Sequence, residues 1–333
     1  MQKYSLLKNS RLYCPIQTYK DELFLSLMDY RNSRYTSENP DKIIEFYDSF
    51  RNRDDLIEWM KERPKGVAYI HEVDGDKNII VVIPTSDFNE KYARECRENI
   101  FKGLHMIFVE SGGRGDFYFN IAHNINIGIK KAMEYDPKWV VVSNDDMYKI
   151  DGTDTLSQQL KSIENEATDV VFTQPSSYHS IPDNLGSSNI LWRMALQFSK
   201  YRRAQLRLER KFRVALFPSP IKSWKRFVFK CGYRYISLAD FGIFSINCLK
   251  SVNGALFNED YINSAEDNDL SLRISLIRNR YTFINYKIGD YMGMSQGKDS
   301  KRALRSLAGM VLLNYLIETD KHPASLEIKK YLK

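Results

Sequence analysis

The sequence predicts an α/β fold, a mainly parallel central sheet flanked by helices, with helical extensions at both ends. Three observations predict it. The apolar, β-branched cores Ile79-Ile80-Val81-Val82-Ile83 and Val140-Val141-Val142 are too short for core helices and read as strands buried on both faces. Stretches of helical periodicity separate such runs, which is the βαβ rhythm of a parallel sheet. The second run then ends abruptly in Ser143-Asn144-Asp145-Asp146, so a buried strand delivers carboxylates to the sheet edge where open α/β folds bind ligands.

Along the chain, residues 1–75 form an N-terminal, partly helical extension with one helix expected over 41–61, where apolar residues recur at roughly helical spacing. Pro64-Lys65-Gly66 closes it. After the Asp74-Gly75-Asp76 turn signal the main domain occupies 76–295. Its expected elements are strand 78–84, helix 88–101, strand 105–109, helix 116–134, strand 139–143, helix 155–164 and strand 169–173. A basic excursion at 190–234 interrupts this rhythm. Strand 240–246, helix 266–278 and strand 281–286 follow it, and the C-terminal segment 296–333 begins with a helix over 298–318.

Composition narrows the classes. The four cysteines, Cys14, Cys96, Cys231 and Cys248, form no C-x-x-C pair, so neither a zinc site nor a disulfide framework is expected. The start has no apolar leader, and the longest uncharged apolar stretch, 306–317, is too short to span a bilayer. A cytoplasmic protein, peripheral on the inner face of the cell membrane, is the expectation. The formal charge is +7, yet residues 193–234 hold thirteen Lys or Arg against the single acid Glu209, which leaves the rest of the chain net negative. Leu191, Trp192, Leu196, Phe198, Tyr201, Leu206, Leu208, Phe212 and Phe217 are interleaved with or border those cations, a pattern suited to an anionic membrane surface. A solvated basic hairpin is the plainer alternative. Nucleic acid is disfavoured because no recognised binding motif accompanies the charge.

Several chemistries are excluded by missing motifs. No Gly-Lys-Ser or Gly-Lys-Thr closes a glycine-rich turn, the turn after the first strand is Pro84-Thr85-Ser86-Asp87 rather than G-x-G-x-x-G, and no G-x-S-x-G is present. The five histidines show no metal-ligand spacing, although His123 precedes Asn126 on a helix that leads toward the ligand edge. Acids after a strand suit Mg²⁺ or Mn²⁺ bound together with substrate phosphates. Taken alone they equally suit a solvated turn. A second cluster, Glu266-Asp267-Asn268-Asp269, suits the first turn of any helix as well as it suits catalysis.

The series Ile80-Val81-Val82-Ile83-Pro84-Thr85, Phe108-Val109-Glu110-Ser111-Gly112-Gly113, Asn126-Ile127-Gly128-Ile129 and Val142-Ser143-Asn144-Asp145-Asp146 resembles family 2 glycosyltransferases of the GT-A fold in order and spacing. So do Asn253-Gly254-Ala255-Leu256-Phe257-Asn258-Glu259 and Glu266-Asp267-Asn268-Asp269-Leu270-Ser271-Leu272-Arg273. The resemblance covers roughly 78–295 and implies an inverting transferase that uses a nucleotide diphosphate-sugar donor and a glycan or lipid-linked acceptor. It implies that Pro84, Thr85, Glu110, Gly112, Asn126, Asn144 and Asp145 bind the nucleotide-sugar, with Glu110 in place of the usual Asp. Asp146 and Asn144 would hold Mn²⁺ or Mg²⁺, Asp267 would be the general base, and Glu266 and Asp269 would orient backbone or acceptor. The chain departs from the pattern at Ile125, where an Arg often stands, and at 289–295, which lacks the late His of many relatives; Lys298, Lys301 and Arg302 offer cations there instead. These departures keep open a second hypothesis, a non-catalytic nucleotide-sugar-binding protein on a degenerate transferase scaffold.

Overall fold

The computed structural model describes residues 26–112, 117–164, 166–173, 200–214, 241–262, 264–276, 280–291 and 300–326. Its strands are β1 Tyr69–Val73, β2 Asp76–Thr85, β3 Leu104–Glu110, β4 Trp139–Ser143, β5 Met147–Lys149, β6 Val170–Thr173, β7 Phe241–Ser245, β8 Tyr281–Ile284 and β9 Ile288–Asp290. Seven of them form one sheet in the order β1-β3-β2-β4-β7-β6-β8, and β5 pairs with β9 apart from it. β2, β3, β4, β6 and β8 share a direction, while β1 and β7 run against their neighbours. The sheet is therefore mixed, built around the parallel core β3-β2-β4. Every residue of β3 and β4 is buried, and apart from His105, Glu110 and Ser143 all of them are apolar.

The helices are α1 over 26–35, α2 Pro40–Asp48, α3 Arg53–Glu62, α4 Lys91–Glu95, α5 Ile121–Met133, α6 Thr153–Lys161, α7 Arg202–Lys211, α8 Ile246–Ser251, α9 Glu266–Leu276 and α10 Ser300–Glu318. α4 runs on into a π-helical turn, Cys96–Ile100. The single helix expected over 41–61 is two. The Asn52 side chain accepts from the Asp55 amide and opens α3, and the Ser49 amide closes α2, so the break is built from capping chemistry that periodicity alone does not reveal. The extension 1–75 also supplies β1, an edge strand whose Tyr69 and Ile70 are exposed and which lacks the apolar signature of a core strand.

Two features position the site. α5 lies so close to β2 and β3 that a Cβ on Gly128 would collide with Val82 and Val109 side chains. α2, α3 and α10 form a separate apolar layer around Phe46, Tyr47, Trp59 and Leu312, into which Leu272 of α9 also packs. The Tyr47 hydroxyl donates to the Leu304 carbonyl at 2.6 Å and ties α2 to α10. A Cβ on Gly309 would meet the Ser264 carbonyl, so α10 rests directly against the entry to α9.

The basic excursion is described only over 200–214. There Leu208 and Phe212, expected on a face for lipid, are buried in the helical layer instead, with Phe212 against Tyr47 at 5.7 Å. The expected lipid-facing residues Leu191, Trp192, Leu196, Phe198 and Phe217 lie outside the described residues, as does Lys298. Among the described residues no helix is long and apolar enough to cross a membrane.

Candidate active site

The parallel pairing of β2 with β3 and β4 aligns their carboxyl ends, with Thr85 opposite Glu110 and Pro84 opposite Val109. At this edge the Thr85 hydroxyl donates to Asp145 Oδ2 at 2.7 Å. Burial pushes the Asp145 carboxyl up to about 6; the Thr85 hydrogen bond opposes that shift and the charge of neighbouring Asp146 adds to it. Beneath the loop, Cys96 in the π-helical turn donates its thiol to the Asp145 carbonyl at 3.3 Å. Burial, with Asp145 and Asp146 nearby, raises that thiol well above its ordinary range, so it serves as a neutral buttress. Asp146 is buried, and its carbonyl accepts the Tyr291 amide at 2.9 Å. Because Met147 pairs with Asp290, the small β5–β9 sheet fastens the acid loop from the far side. Asn144 is half-buried between Ser143 and the two acids.

Glu110 is buried and its carboxylate is already engaged. His71 of β1 reaches it through Nε2 at 2.9 Å. The imidazole in turn stacks on Phe88, with centroids 4.5 Å apart and planes 8° from parallel, and the Arg97 guanidinium lies 4.4 Å over the same phenyl ring. Sequence reasoning missed His71 because it sits on the strand that went unrecognised. Gly112 continues from the same edge with φ +82°, a left-handed turn that suits glycine. Gly113 falls outside the described residues.

α9 brings the second acid cluster. β8 begins at the amino edge of the sheet, where Tyr281 pairs with Val170. α9 ends at Leu276, just before β8, and buries Leu270 and Ile274 against the face that α5 covers. Its first turn is the end of the helix remote in sequence from β8. Burial raises both Glu266 and Asp267; the Asp267 charge lifts Glu266 further, and Arg302 of α10 opposes both shifts. Asp267 Oδ1 accepts from the Asn268 amide at 2.8 Å. Glu266 Oε2 is sealed from solvent and has no hydrogen-bond partner among the described residues.

Asp269 behaves differently from its neighbours. Burial alone would push it up, but His322 and Arg273 outweigh that and hold it below the usual carboxylate range. Arg273 Nε lies 2.8 Å away and His322 Nε2 3.2 Å away, and the Tyr261 hydroxyl donates to it at 3.2 Å. His322 Nδ1 accepts the Ala324 amide, which leaves Nε2 to face the carboxylate. Asp269 thus fastens α9 to the helical layer.

Asn126 is committed to a loop. Its amide nitrogen donates to the Phe257 carbonyl and to Glu259 Oε1, both at 2.9 Å, and its oxygen accepts the Phe257 amide at 3.0 Å. His123 holds the same Glu259 through Oε2 at 2.7 Å. Burial opposes ionisation of Glu259, and Asn126 and His123 outweigh it. Asn126, Phe257 and Glu259 border a cleft of about 480 Å³, with Asp269, Arg273 and His322 on its wall; His123, Asp145, Asp146, Glu266 and Asp267 do not line it. The structure therefore gathers Pro84, Thr85, Glu110, Asp145 and Asp146 at one edge and sets Glu266 and Asp267 in the first turn of α9, while the side chain of Asn126 is spent on the loop at 257–259. Among the described residues no three His, Cys, Asp or Glu side chains converge as a ready-made metal cage.

No family model matches the chain, and no curated protein matches it. Among solved structures it is similar to the crystal structure of S. aureus TarS 1-349, at 14% identity over 63% of this chain and 58% of that chain, with a TM-score of 0.34. The likeness spans less than two thirds of that chain and is too distant to carry an argument about fold or activity.

Proposed function

We propose that the protein is a glycosyltransferase of the GT-A type, which moves a sugar from a nucleotide diphosphate-sugar to an acceptor hydroxyl with inversion. The observation that carries this reading is the Thr85, Asp145 and Asp146 cluster at the carboxyl edge of β2 and β4; the first turn of α9 supplies Glu266 and Asp267 as a second acid cluster. Two acid sites with separate tasks are what such a transfer needs. One neutralises a diphosphate and the other takes a proton.

In the proposed reaction the Asp267 carboxylate accepts the acceptor's hydroxyl proton as that oxygen attacks the anomeric carbon opposite the diphosphate. The bond from that carbon to the phosphate oxygen breaks, and its electron pair leaves with the nucleoside diphosphate. A general base works best with its pKa near the operating pH, and burial moves Asp267 upward in that direction. Glu266 beside it orients the acceptor or backbone. Pro84, Thr85 and Glu110 line the nucleoside side, with His71 holding the Glu110 carboxylate in place.

The donor set at 144–146 fits a hard divalent cation. Burial and the charge of Asp146 raise the proton affinity of Asp145, and Asn144 adds an amide oxygen. Mg²⁺ or Mn²⁺ needs only one or two protein carboxylates when substrate phosphates complete its shell. Held at Asp146 with Asn144, it would offset the charge that develops on the leaving diphosphate. Acceptors in glycan, polysaccharide or glycolipid synthesis suit this chemistry.

A second reading, a nucleotide-sugar-binding protein without turnover, is favoured by one observation, the prior engagement of Glu110 by His71. Donor turnover separates the two. Nucleoside diphosphate release followed by NMR across a panel of donor sugars and simple acceptors is expected for the wild-type chain and not for Asp267→Asn. Tight donor binding with no release in either protein would establish the binding-protein reading.

A further inference from the structure

Seven of the thirteen cations in the basic excursion lie between Lys200 and Arg213, on or beside α7. The helix separates its faces cleanly. Gln205, Leu208 and Phe212 are buried, which fixes α7 to the layer formed by α2, α3 and α10. Arg207 adds an ion pair to Asp48 at 2.8 Å, and the Lys211 ammonium donates to the Tyr47 carbonyl at 3.0 Å. The opposite face carries Arg203, Leu206, Arg207 and Arg210, all exposed and spaced at i, i+3, i+4 and i+7. Arg202 and Arg213 flank it, also exposed. The acid Glu209 accepts the Gln205 amide at 2.7 Å on the inward side.

We propose that this outward face of α7 is a docking surface for an anionic lipid bilayer, with Arg203 and Arg210 on the headgroup phosphates and Leu206 inserted between them. Charge complementarity carries the first half of the argument. Leu206 carries the second: it is 45% exposed in the middle of a guanidinium cluster, where a bilayer rewards an apolar side chain and a nucleic acid backbone does not. Because the buried side of α7 is welded to the protein core, the helix does not have to fold on arrival, and its arginines are presented already in register. The apolar residues buried here are not available to lipid, so binding is peripheral, dominated by charge and reversible by salt. This inference stands apart from the transfer reaction and would hold for a protein that only binds its donor.

The test is flotation of the full chain with phosphatidylcholine vesicles, with and without about one third phosphatidylglycerol, at low salt and near 1 M, where screening shortens to about 3 Å. Binding is expected on the anionic vesicles alone and should be lost in high salt. Arg203→Gln with Arg210→Gln should weaken it more than tenfold, since each cation near an anionic surface is worth roughly fivefold. Leu206→Ser should weaken it further without changing its salt slope. Thermal midpoints equal to wild type would show that these exposed substitutions leave the fold intact. Equal binding to neutral vesicles, indifference to the double substitution, or tighter binding to a DNA competitor than to anionic vesicles would each overturn the proposal, the last assigning the face to nucleic acid.

Discussion

Asp145 and Asp269 are both largely enclosed aspartates next to other acids, and their environments push them in opposite directions. Asp145 has one hydroxyl for company and a second acid beside it, and its carboxyl rises to about 6. Asp269 is faced by Arg273, His322 and Tyr261 and stays below the ordinary range. The difference separates function from structure. An acid already matched by protein cations stabilises a fold, whereas an acid left short of positive charge is poised for a cation or proton that arrives from outside. Glu266 and Asp267 belong with Asp145 by this measure, since burial lifts both against the backbone amides and Arg302 that oppose their rise.

The largest effect that would sharpen this contrast is on turnover. Asp267→Asn should lower kcat by about 10²–10⁴-fold, the usual worth of a positioned base, while nucleotide affinity stays unchanged. Steady-state kinetics and a nucleotide titration on the same protein check both halves. On the structural side, Asp269→Ala leaves Arg273 without its counter-charge and the buried His322 without the carboxylate it faces, and should cost about 3–5 kcal/mol in urea denaturation at neutral pH. Because the folded state holds Asp269 low, its stabilisation is present above the unfolded-state pKa and is lost as pH falls through the lower, folded value.

Asp145→Asn should do the reverse. The folded state binds a proton at Asp145 more tightly than the unfolded chain, so wild-type stability declines as pH rises from about 4 through about 6. The amide variant keeps an acceptor for Thr85 and escapes that decline. It should be more stable than wild type by up to about 3 kcal/mol near pH 7.5, with the difference vanishing near pH 4. A pH series of thermal midpoints reads this directly, and equal slopes for the two proteins would place Asp145 among the matched acids. The smallest effect is expected at Asp146→Ala, which should weaken nucleotide diphosphate binding in Mn²⁺ by about tenfold or more and leave metal-free binding nearly unaltered.

The elements that the sequence made legible are those whose signal is local. The runs Ile79–Ile83 and Val140–Val142 are strands because β-branched residues buried on both sides leave little choice, and the acids after Val142 mark the edge where β4 stops. Local signals failed at Ser49–Asn52, where capping overrides a continuous apolar rhythm, and at β1, which exposes Tyr69 and Ile70. The site was legible in part for the same reason. Asp145, Asp146, Glu266 and Asp267 stand at element ends, but His71, Asp290 and His322 reach their partners only through tertiary packing. Asn126 illustrates the converse: its motif is visible in the sequence, while the loop that consumes its hydrogen bonds lies far along the chain.

The central claim is that a nucleotide diphosphate-sugar binds at the Asp145 and Asp146 edge with the help of a divalent cation. Thermal shift against UDP, GDP, dTDP, CDP and their common sugar conjugates, with and without Mn²⁺ or Mg²⁺, tests it most directly. A ligand at 100 times its dissociation constant stabilises by about 2.7 kcal/mol, well within reach of the method. The account predicts a metal-dependent shift with one nucleotide family that is clearly reduced in Asp146→Ala. No shift with any member of the panel, in a protein that melts cooperatively, would contradict it.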